Sequence, residues 1–142
     1  MYTAYVATGL DNHAQHRIMS EALLKYEIVV TYDWTTHGPV WSQGQVALRV
    51  VAGAEIDAVQ KADAVVVILP GGRGTHVELG AALALKKPVA LYDPTGLDIG
   101  PEDSRIGKHT CAFYHHPNVA YFSPSWRAEA VASWLAWKLG GQ

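Results

Sequence analysis

The sequence has little of what marks several common classes of protein. It contains a single cysteine, so it cannot form an internal disulfide. Its 11 basic and 13 acidic residues give a formal net charge of -2 without any basic stripe, and binding to a nucleic acid polymer is therefore not expected. The amino terminus lacks the layout of a secretion signal and no long apolar span is present, so we expect a cytoplasmic protein without membrane contact.

What the chain does contain is enough apolar material for one core. About half of its 142 residues are hydrophobic, and no repeat, linker or low-complexity tract divides them. This length fills one ordinary domain and is too short for two. We therefore expect residues 1–142 to form one domain.

Short apolar runs alternate with amphipathic stretches along the whole chain. The predicted strands are 2–8, 27–33, 64–69, 87–93 and 119–122. The predicted helices begin near Asp11 or Asn12 and then cover 45–61, 75–85 and 125–139, and the first should bury Ala14, Ile18, Ala22 and Leu23. Strands that alternate with helices and are apolar on both faces predict a Rossmann-like three-layer α/β sandwich with a mostly parallel sheet of about five strands.

In such a fold, ligands bind beyond the carboxyl ends of the strands, and the loop after the third predicted strand is the most informative. Gly71, Gly72 and Gly74 there permit close approach of a ligand to the backbone. The helix that follows offers unpaired N–H groups, which suit an anion. Glu78 lies about one turn into this helix and is a candidate nucleophile.

Two familiar nucleotide motifs do not fit this loop. Val77 stands where a dinucleotide fingerprint places its last glycine, and the loop does not follow the first strand. A P-loop is also excluded because no Gly-Lys-Ser/Thr triplet is present.

Residues 70–89, with the sequence PGGRGTHVELGAALALKKPV, resemble the nucleoside 2-deoxyribosyltransferase superfamily. The resemblance extends upstream to Tyr5 on the first strand and to the acidic helix with the sequence EIDAVQKADAVVV. The shorter pattern P-G-G-x-G-T-x-x-E also resembles the Lonely Guy nucleotide phosphoribohydrolases. Members of both families cleave N-glycosidic bonds, so the resemblance implies a nucleoside or nucleotide substrate and no metal or other cofactor.

The resemblance assigns catalytic roles to Glu78 as nucleophile, to Tyr5, and to a second acid. The position eight residues before Asp63 is Glu55, and Asp57 is close by. Residues two apart on a helix point in different directions, so at most one of these acids should face the site. Three alternatives stay open, namely a base-exchanging transferase, a nucleotide-binding sensor without turnover, and an NAD-cleaving enzyme.

Six residues before the nucleophile, the deoxyribosyltransferases tend to have a carboxylate, whereas this chain has Gly72 followed by Arg73. Loss of a negative charge and gain of a positive one favour a nucleoside 5′-monophosphate, or another anionic ribosyl compound, over a free nucleoside. Trp34 or Trp41 is a candidate for stacking on the base. The predicted substrate-binding residues are Thr8, Gly9, Asp33, Trp34, Gly71, Gly72, Arg73, Gly74, Thr75 and His76.

Two further groups of residues lie toward the carboxyl terminus. His109, Cys111, His115 and His116 have metal-capable side chains, but their spacing fits no zinc signature and no metal site is expected. The predicted last helix has one apolar stripe of Val131, Trp134, Leu135 and Leu139, which Trp126, Ala130 and Trp137 extend around the helix. This excess of aromatic surface favours a homo-oligomer.

Overall fold

The computed structural model describes residues 1–96 and 110–141. Its strands are β1 (Tyr2–Thr8), β2 (Ile28–Val30), β3 (Ala64–Ile68), β4 (Val89–Tyr92) and β5 (Val119–Phe122). Its helices are α1 (His13–Lys25), α2 (Gln45–Lys61), α3 (Arg73–Ala84) and α4 (Ala128–Leu139). The strands form one parallel sheet in the order β2-β1-β3-β4-β5, so the predicted α/β architecture is confirmed.

Helices α1 to α4 cover both faces of the sheet. All five residues of β3 are buried, which accounts for its unbroken β-branched run. On one face, β1, β3 and β4 pack with α1 and α4; on the other, the same strands pack with α2 and α3. These two apolar layers form the core.

The predicted core face of α1 is partly wrong. Ala22 and Leu23 are buried as expected, but Ala14 is exposed and Ile18 is 44% exposed. His16 and Met19 take their places in the core, each about 1% exposed. The buried face therefore includes a polar residue, which a search for apolar periodicity passes over.

Several predicted elements are shorter than expected. β2 ends at Val30, and residues Trp34–Thr36 form a separate 3-10 turn. α4 begins at Ala128, so Trp126 precedes the helix. In the described part of the chain, no helix combines the length and apolar character needed to cross a membrane.

The strand order reverses between β1 and β3, and the loops after these two strands touch. The Gly9 N–H donates to the Pro70 carbonyl at 3.2 Å. A Cβ atom at Gly9 would lie 3.0 Å from that carbonyl oxygen, so glycine is needed for the close approach. A reversal of this kind is where parallel α/β sheets bind their ligands, and it directs attention to the loops beginning at Thr8 and Pro70.

Candidate active site

A hydrogen-bonded pair of Tyr5 and Glu78 lies at this point of the fold. Tyr5 is on β1 and is fully buried, and Glu78 is in the second turn of α3 and is 6% exposed. The Tyr5 hydroxyl donates to Glu78 Oε2 over 2.6 Å. The two sequence-predicted residues, 73 positions apart in the chain, are thus brought into direct contact.

The surroundings of Glu78 favour its protonated form. Burial is the main cause that raises the pKa of Glu78 to about 8; the Tyr5 hydrogen bond opposes this rise and the nearby Glu55 adds to it. Burial and the Glu78 charge also raise the pKa of Tyr5 far above its ordinary value. Tyr5 therefore keeps its proton and acts only as a donor to the carboxylate.

Glu55 and Asp57 have clearly different surroundings on α2. Glu55 is half-buried and interacts electrostatically with both Tyr5 and Glu78. Asp57 is 56% exposed and forms an ion pair with Lys61 at 2.8 Å, one helical turn further on. Of the two acids, only Glu55 faces the buried carboxylate, and the role predicted for Asp57 is not supported by its position.

Tyr32 is a member of this cluster that the sequence analysis missed. Its ring is half-buried and lies 6.0 Å from the ring of His37. Burial and the charge of Glu55 raise the pKa of Tyr32, so the Tyr32 hydroxyl lies within the electrostatic reach of Glu55. The available signal was its place immediately before Asp33, at the end of the second predicted strand.

The glycines of the turn between β3 and α3 have different roles. A Cβ atom at Gly71 would lie 2.8 Å from Thr75 Cγ2, so this glycine makes room for the protein itself. Gly72 and Gly74 face open space, and a Cβ atom at either position would have no neighbour within 4 Å. Because α3 begins at Arg73, the first backbone N–H groups of the helix have no partner within it. The turn therefore offers donors and space to an anionic ligand.

Arg73 and Thr75 flank this turn in contrasting ways. Arg73 is exposed, and it makes no hydrogen bond or ion pair with any residue of 1–96 or 110–141. Thr75 is 4% exposed, and its hydroxyl accepts the Gly72 N–H at 2.9 Å. Arg73 is thus available to a ligand, whereas Thr75 braces the turn.

Two other residues that were predicted to bind the substrate form hydrogen bonds within the protein instead. The Thr8 hydroxyl donates to the Ile68 carbonyl at 2.7 Å and accepts from Asn12 at 2.9 Å. Trp34 is 4% exposed, and its indole N–H donates to the Val6 carbonyl at 3.0 Å. The expectation that Trp34 offers an open face to a base is therefore wrong, because its ring fills the core. Trp41 is 73% exposed, so its ring remains accessible for stacking on a base.

Asp33, in contrast to Thr8 and Trp34, is partly exposed to solvent. Its side chain is 48% exposed and accepts a hydrogen bond from the Thr35 N–H at 3.0 Å. Burial alone would raise the pKa of Asp33, but the bonds from Thr35 and the nearby His16 hold it below its usual range. Asp33 is thus an ionised carboxylate at the ligand edge of the sheet.

The residues with metal-capable side chains that lie in the described part of the chain do not form a cluster. His109 lies outside the described residues. His115 bonds the Thr110 hydroxyl at 2.9 Å, and His116 accepts the Asn118 N–H at 3.1 Å. Across residues 1–96 and 110–141, no three His, Cys, Asp or Glu side chains are grouped as a metal ion would require.

Two solved structures resemble this chain in fold. A solved structure of the CMP N-glycosidase BcmB from Clostridium botulinum shares 16% sequence identity, covers 93% of this chain and 97% of its own, and has a TM-score of 0.60. The 2-deoxyribosyltransferase from Bacillus psychrosaccharolyticus shares 22% identity, covers 91% and 95%, and has a TM-score of 0.61. These two likenesses establish a common fold. No curated protein matches the chain.

The family model described as nucleoside 2-deoxyribosyltransferase matches residues 4–114, which include Tyr5, Glu55 and Glu78. That match spans most of the chain and the whole acidic cluster. The protein therefore belongs to the nucleoside 2-deoxyribosyltransferase family.

Proposed function

We propose that this protein hydrolyses the N-glycosidic bond of a nucleoside 5′-monophosphate and releases the base, with Glu78 as the nucleophile. The observation that carries the proposal is the buried Glu78 carboxylate, held by Tyr5 and adjoined by Glu55. Cleavage of a glycosidic bond through an oxocarbenium-like transition state commonly uses two carboxyl groups in this way.

In the proposed mechanism the two carboxyl groups have separate roles. Tyr5 binds Glu78 Oε2, which leaves Oε1 to attack the anomeric carbon. Glu55 donates a proton to the departing base, and the C–N bond breaks as the glycosyl–Glu78 ester forms. A water molecule, deprotonated by Glu55, then attacks the anomeric carbon and frees Glu78, so that configuration is retained.

A single shared proton can satisfy both roles before the substrate reacts. Glu55 is near enough to Glu78 to favour the protonated form of that carboxyl group, so in the proposed mechanism the two groups share one proton. Transfer of that proton to Glu55 produces the ionised nucleophile and the protonated acid in one step. The pair therefore needs to hold one proton in total, and neither group alone determines the active state.

The pH dependence of activity follows from this proton. Because burial raises the pKa of Glu78 to about 8, the pair keeps its proton at neutral pH and loses it above that value. We expect kcat/KM to fall by about tenfold per pH unit well above pH 8. The measurement is kcat/KM for base release between pH 6 and 10; a value that rises through pH 8 would contradict the shared-proton mechanism.

The turn at residues 71–74 supports a phosphorylated substrate. Gly72 and Gly74 leave open space, the first N–H groups of α3 are unpaired within the helix, and Arg73 adds an uncommitted positive charge. Together these groups match a phosphate better than a neutral hydroxyl.

Replacing Arg73 by alanine should therefore weaken phosphate binding. We expect ribose 5-phosphate to raise the Tm of the unmodified protein, and Arg73→Ala to lower its affinity by about tenfold, as loss of one charged contact would. Arg127→Ala, which changes an exposed arginine just before α4, is the matched control. Equal affinity in both variants would remove Arg73 from the phosphate site.

A substrate panel tests the function itself. Purified protein is incubated with nucleosides, their 5′-monophosphates and NAD, and the freed base is detected by chromatography. We expect release from one or more monophosphates in water alone. Release that requires an added acceptor base would identify a base-exchanging transferase, and binding without release would identify a sensor.

We also propose that the protein is a homo-oligomer. Trp134 packs against Phe122 in the core, but Trp137 on α4 remains 55% exposed and Trp126 is 48% exposed. Exposed tryptophan side chains on and next to one surface helix are typical of a contact between subunits. Sedimentation velocity should show a species larger than 15.4 kDa, which Trp137→Arg reduces in size and Trp41→Ser does not. A monomeric unmodified protein would contradict the proposal.

A further inference from the structure

His76 occupies an unusual position between the glycine turn and a distant segment. It lies in the first turn of α3, two residues before Glu78. Its Nδ1 is 2.6 Å from the Gly72 carbonyl oxygen, and its Nε2 is 2.7 Å from the Tyr114 hydroxyl. The His76 and Tyr114 rings are also stacked, with centroids 5.6 Å apart and planes inclined by 29°.

These contacts determine which nitrogen carries the proton. A carbonyl oxygen can only accept, so Nδ1 must be the donor to Gly72. In neutral imidazole the other nitrogen is then an acceptor, and the Tyr114 hydroxyl donates to it. Both ring nitrogens are thereby used inside the protein, and neither is left to bind a substrate.

The bond to Gly72 has a consequence for the next residue. The peptide between Gly72 and Arg73 is planar, and in the trans form its C=O and N–H groups point in opposite directions. His76 draws the Gly72 carbonyl toward α3, where the His76 backbone N–H also donates to it at 3.3 Å. The Arg73 N–H must therefore point away from His76.

We propose that His76 is a positioning residue for phosphate binding, which orients the Arg73 N–H toward the ligand and is itself held by the Tyr114 hydroxyl. The inference rests on the proposed function, because it assigns the phosphate to the turn formed by Gly72 and Arg73. It replaces the sequence-based prediction that His76 contacts the substrate. It also gives the stretch around Tyr114, in a 3-10 turn at Ala112–His115, a part in the site.

Tyr114 suits this supporting role. It is 5% exposed and packs in the same apolar layer as Tyr5 and Leu79. A buried ring has few orientations, so its hydroxyl provides a fixed point for the imidazole. The position of the turn is thereby coupled to the core of the sheet.

Two substitutions of His76 separate positioning from direct contact. The side-chain amide nitrogen of asparagine can donate in the place of Nδ1, and the side-chain amide oxygen of glutamine can accept in the place of Nε2. If the bond to Gly72 matters, His76→Asn should keep affinity for ribose 5-phosphate within about threefold, and His76→Gln should lose about tenfold. Calorimetric titration with ribose 5-phosphate measures both. The opposite order, or equal affinities, would overturn the inference.

Weaker phosphate binding in the His76 variants should also change the kinetics of turnover. With a nucleoside 5′-monophosphate, His76→Gln should raise KM by about tenfold and leave kcat within about threefold, because Glu78 is untouched. Tyr114→Phe removes only the hydroxyl and should raise KM by about threefold. A loss confined to kcat would overturn the inference.

A spectroscopic readout is independent of any reaction. The nitrogen chemical shifts of His76 in the unmodified protein should be those of the Nδ1–H tautomer, and Tyr114→Phe should shift the Nε2 signal. An Nε2–H tautomer, or no binding of ribose 5-phosphate by the unmodified protein, would overturn the inference. Failure of the proposed function is a separate result, namely ribose 5-phosphate binding in the expected order of variants without base release from any substrate.

Discussion

Replacing Glu78 by glutamine is expected to reduce the single-turnover rate of base release by about three orders of magnitude or more, equivalent to roughly 4 kcal/mol of lost transition-state stabilisation. The amide has almost the same size and can still accept the Tyr5 hydroxyl proton. It cannot attack the anomeric carbon or carry the compensating negative charge. Ligand binding should survive, because the turn at residues 71–74 is unchanged.

The same substitution should make the folded protein more stable. The pKa of Glu78 is raised from 4.5 to about 8 by burial, so the folded state binds the proton more tightly than the unfolded chain. The stability of the unmodified protein therefore declines as the pH rises between these values, and the full cost is present above pH 8. Glutamine removes this cost, because it has no charge to bury.

The measurement is the Tm of both proteins at pH 5 and pH 8, beside the rate of base release. We expect Glu78→Gln to raise the Tm by about 3 °C or more at pH 8 and by much less at pH 5. A folded variant that still releases base at nearly the unmodified rate would remove Glu78 from the mechanism. A Tm lowered at pH 8 would instead identify Glu78 as a structural residue.

Replacing Glu55 by glutamine should lower kcat/KM at pH 7 by about 100-fold, the usual effect of losing a general acid and base. The variant should also reverse the pH dependence. Without the shared proton, the buried Glu78 has to lose its own proton to solvent before it attacks. Residual activity should therefore rise with pH up to the pKa of Glu78, whereas that of the unmodified protein should fall above pH 8.

Asp57→Asn is the matched control, since it removes a carboxylate from the same helix. Asp57 is exposed and paired with Lys61, so its loss should leave kcat/KM within about twofold. If Asp57→Asn and Glu55→Gln have equal effects, the second acid has been wrongly assigned. If Glu55→Gln is nearly neutral, the departing base leaves without help from α2.

The fold and the central carboxylate, Glu78, could be predicted from the sequence for identifiable physical reasons. β3 is buried on both faces, so its run of valines is unambiguous, and the turn after it needs glycine at Gly71 for steric reasons. Glu78 can be recognised because a carboxylate near the start of a helix, next to a glycine-rich loop that can hold a ligand, is a candidate nucleophile. These features are local, and each can be read within a few residues.

What sequence reasoning missed depends on contacts between distant residues. Tyr32 approaches Glu55, and Tyr114 approaches His76, only when the sheet and its flanking helices are assembled. Trp34 is a candidate for stacking on a base because it follows the second predicted strand at the ligand edge of the sheet, yet its indole N–H donates to the Val6 carbonyl in the core. Composition gives no means of telling an aromatic residue that fills the core from one that faces a ligand.

The glycines near the site differ in how much sequence change they permit. Gly9 and Gly71 are closed to larger residues, because Pro70 and Thr75 already occupy the space a side chain would take. Gly72 has an ordinary extended backbone, and a side chain there would enter open space. Every glycine codon is a single nucleotide change away from a codon for aspartate or glutamate. In evolutionary terms, position 72 is therefore where a protein of this fold can exchange the proposed phosphate-binding surface for one that accepts a hydroxyl group, while the rest of the structure stays the same.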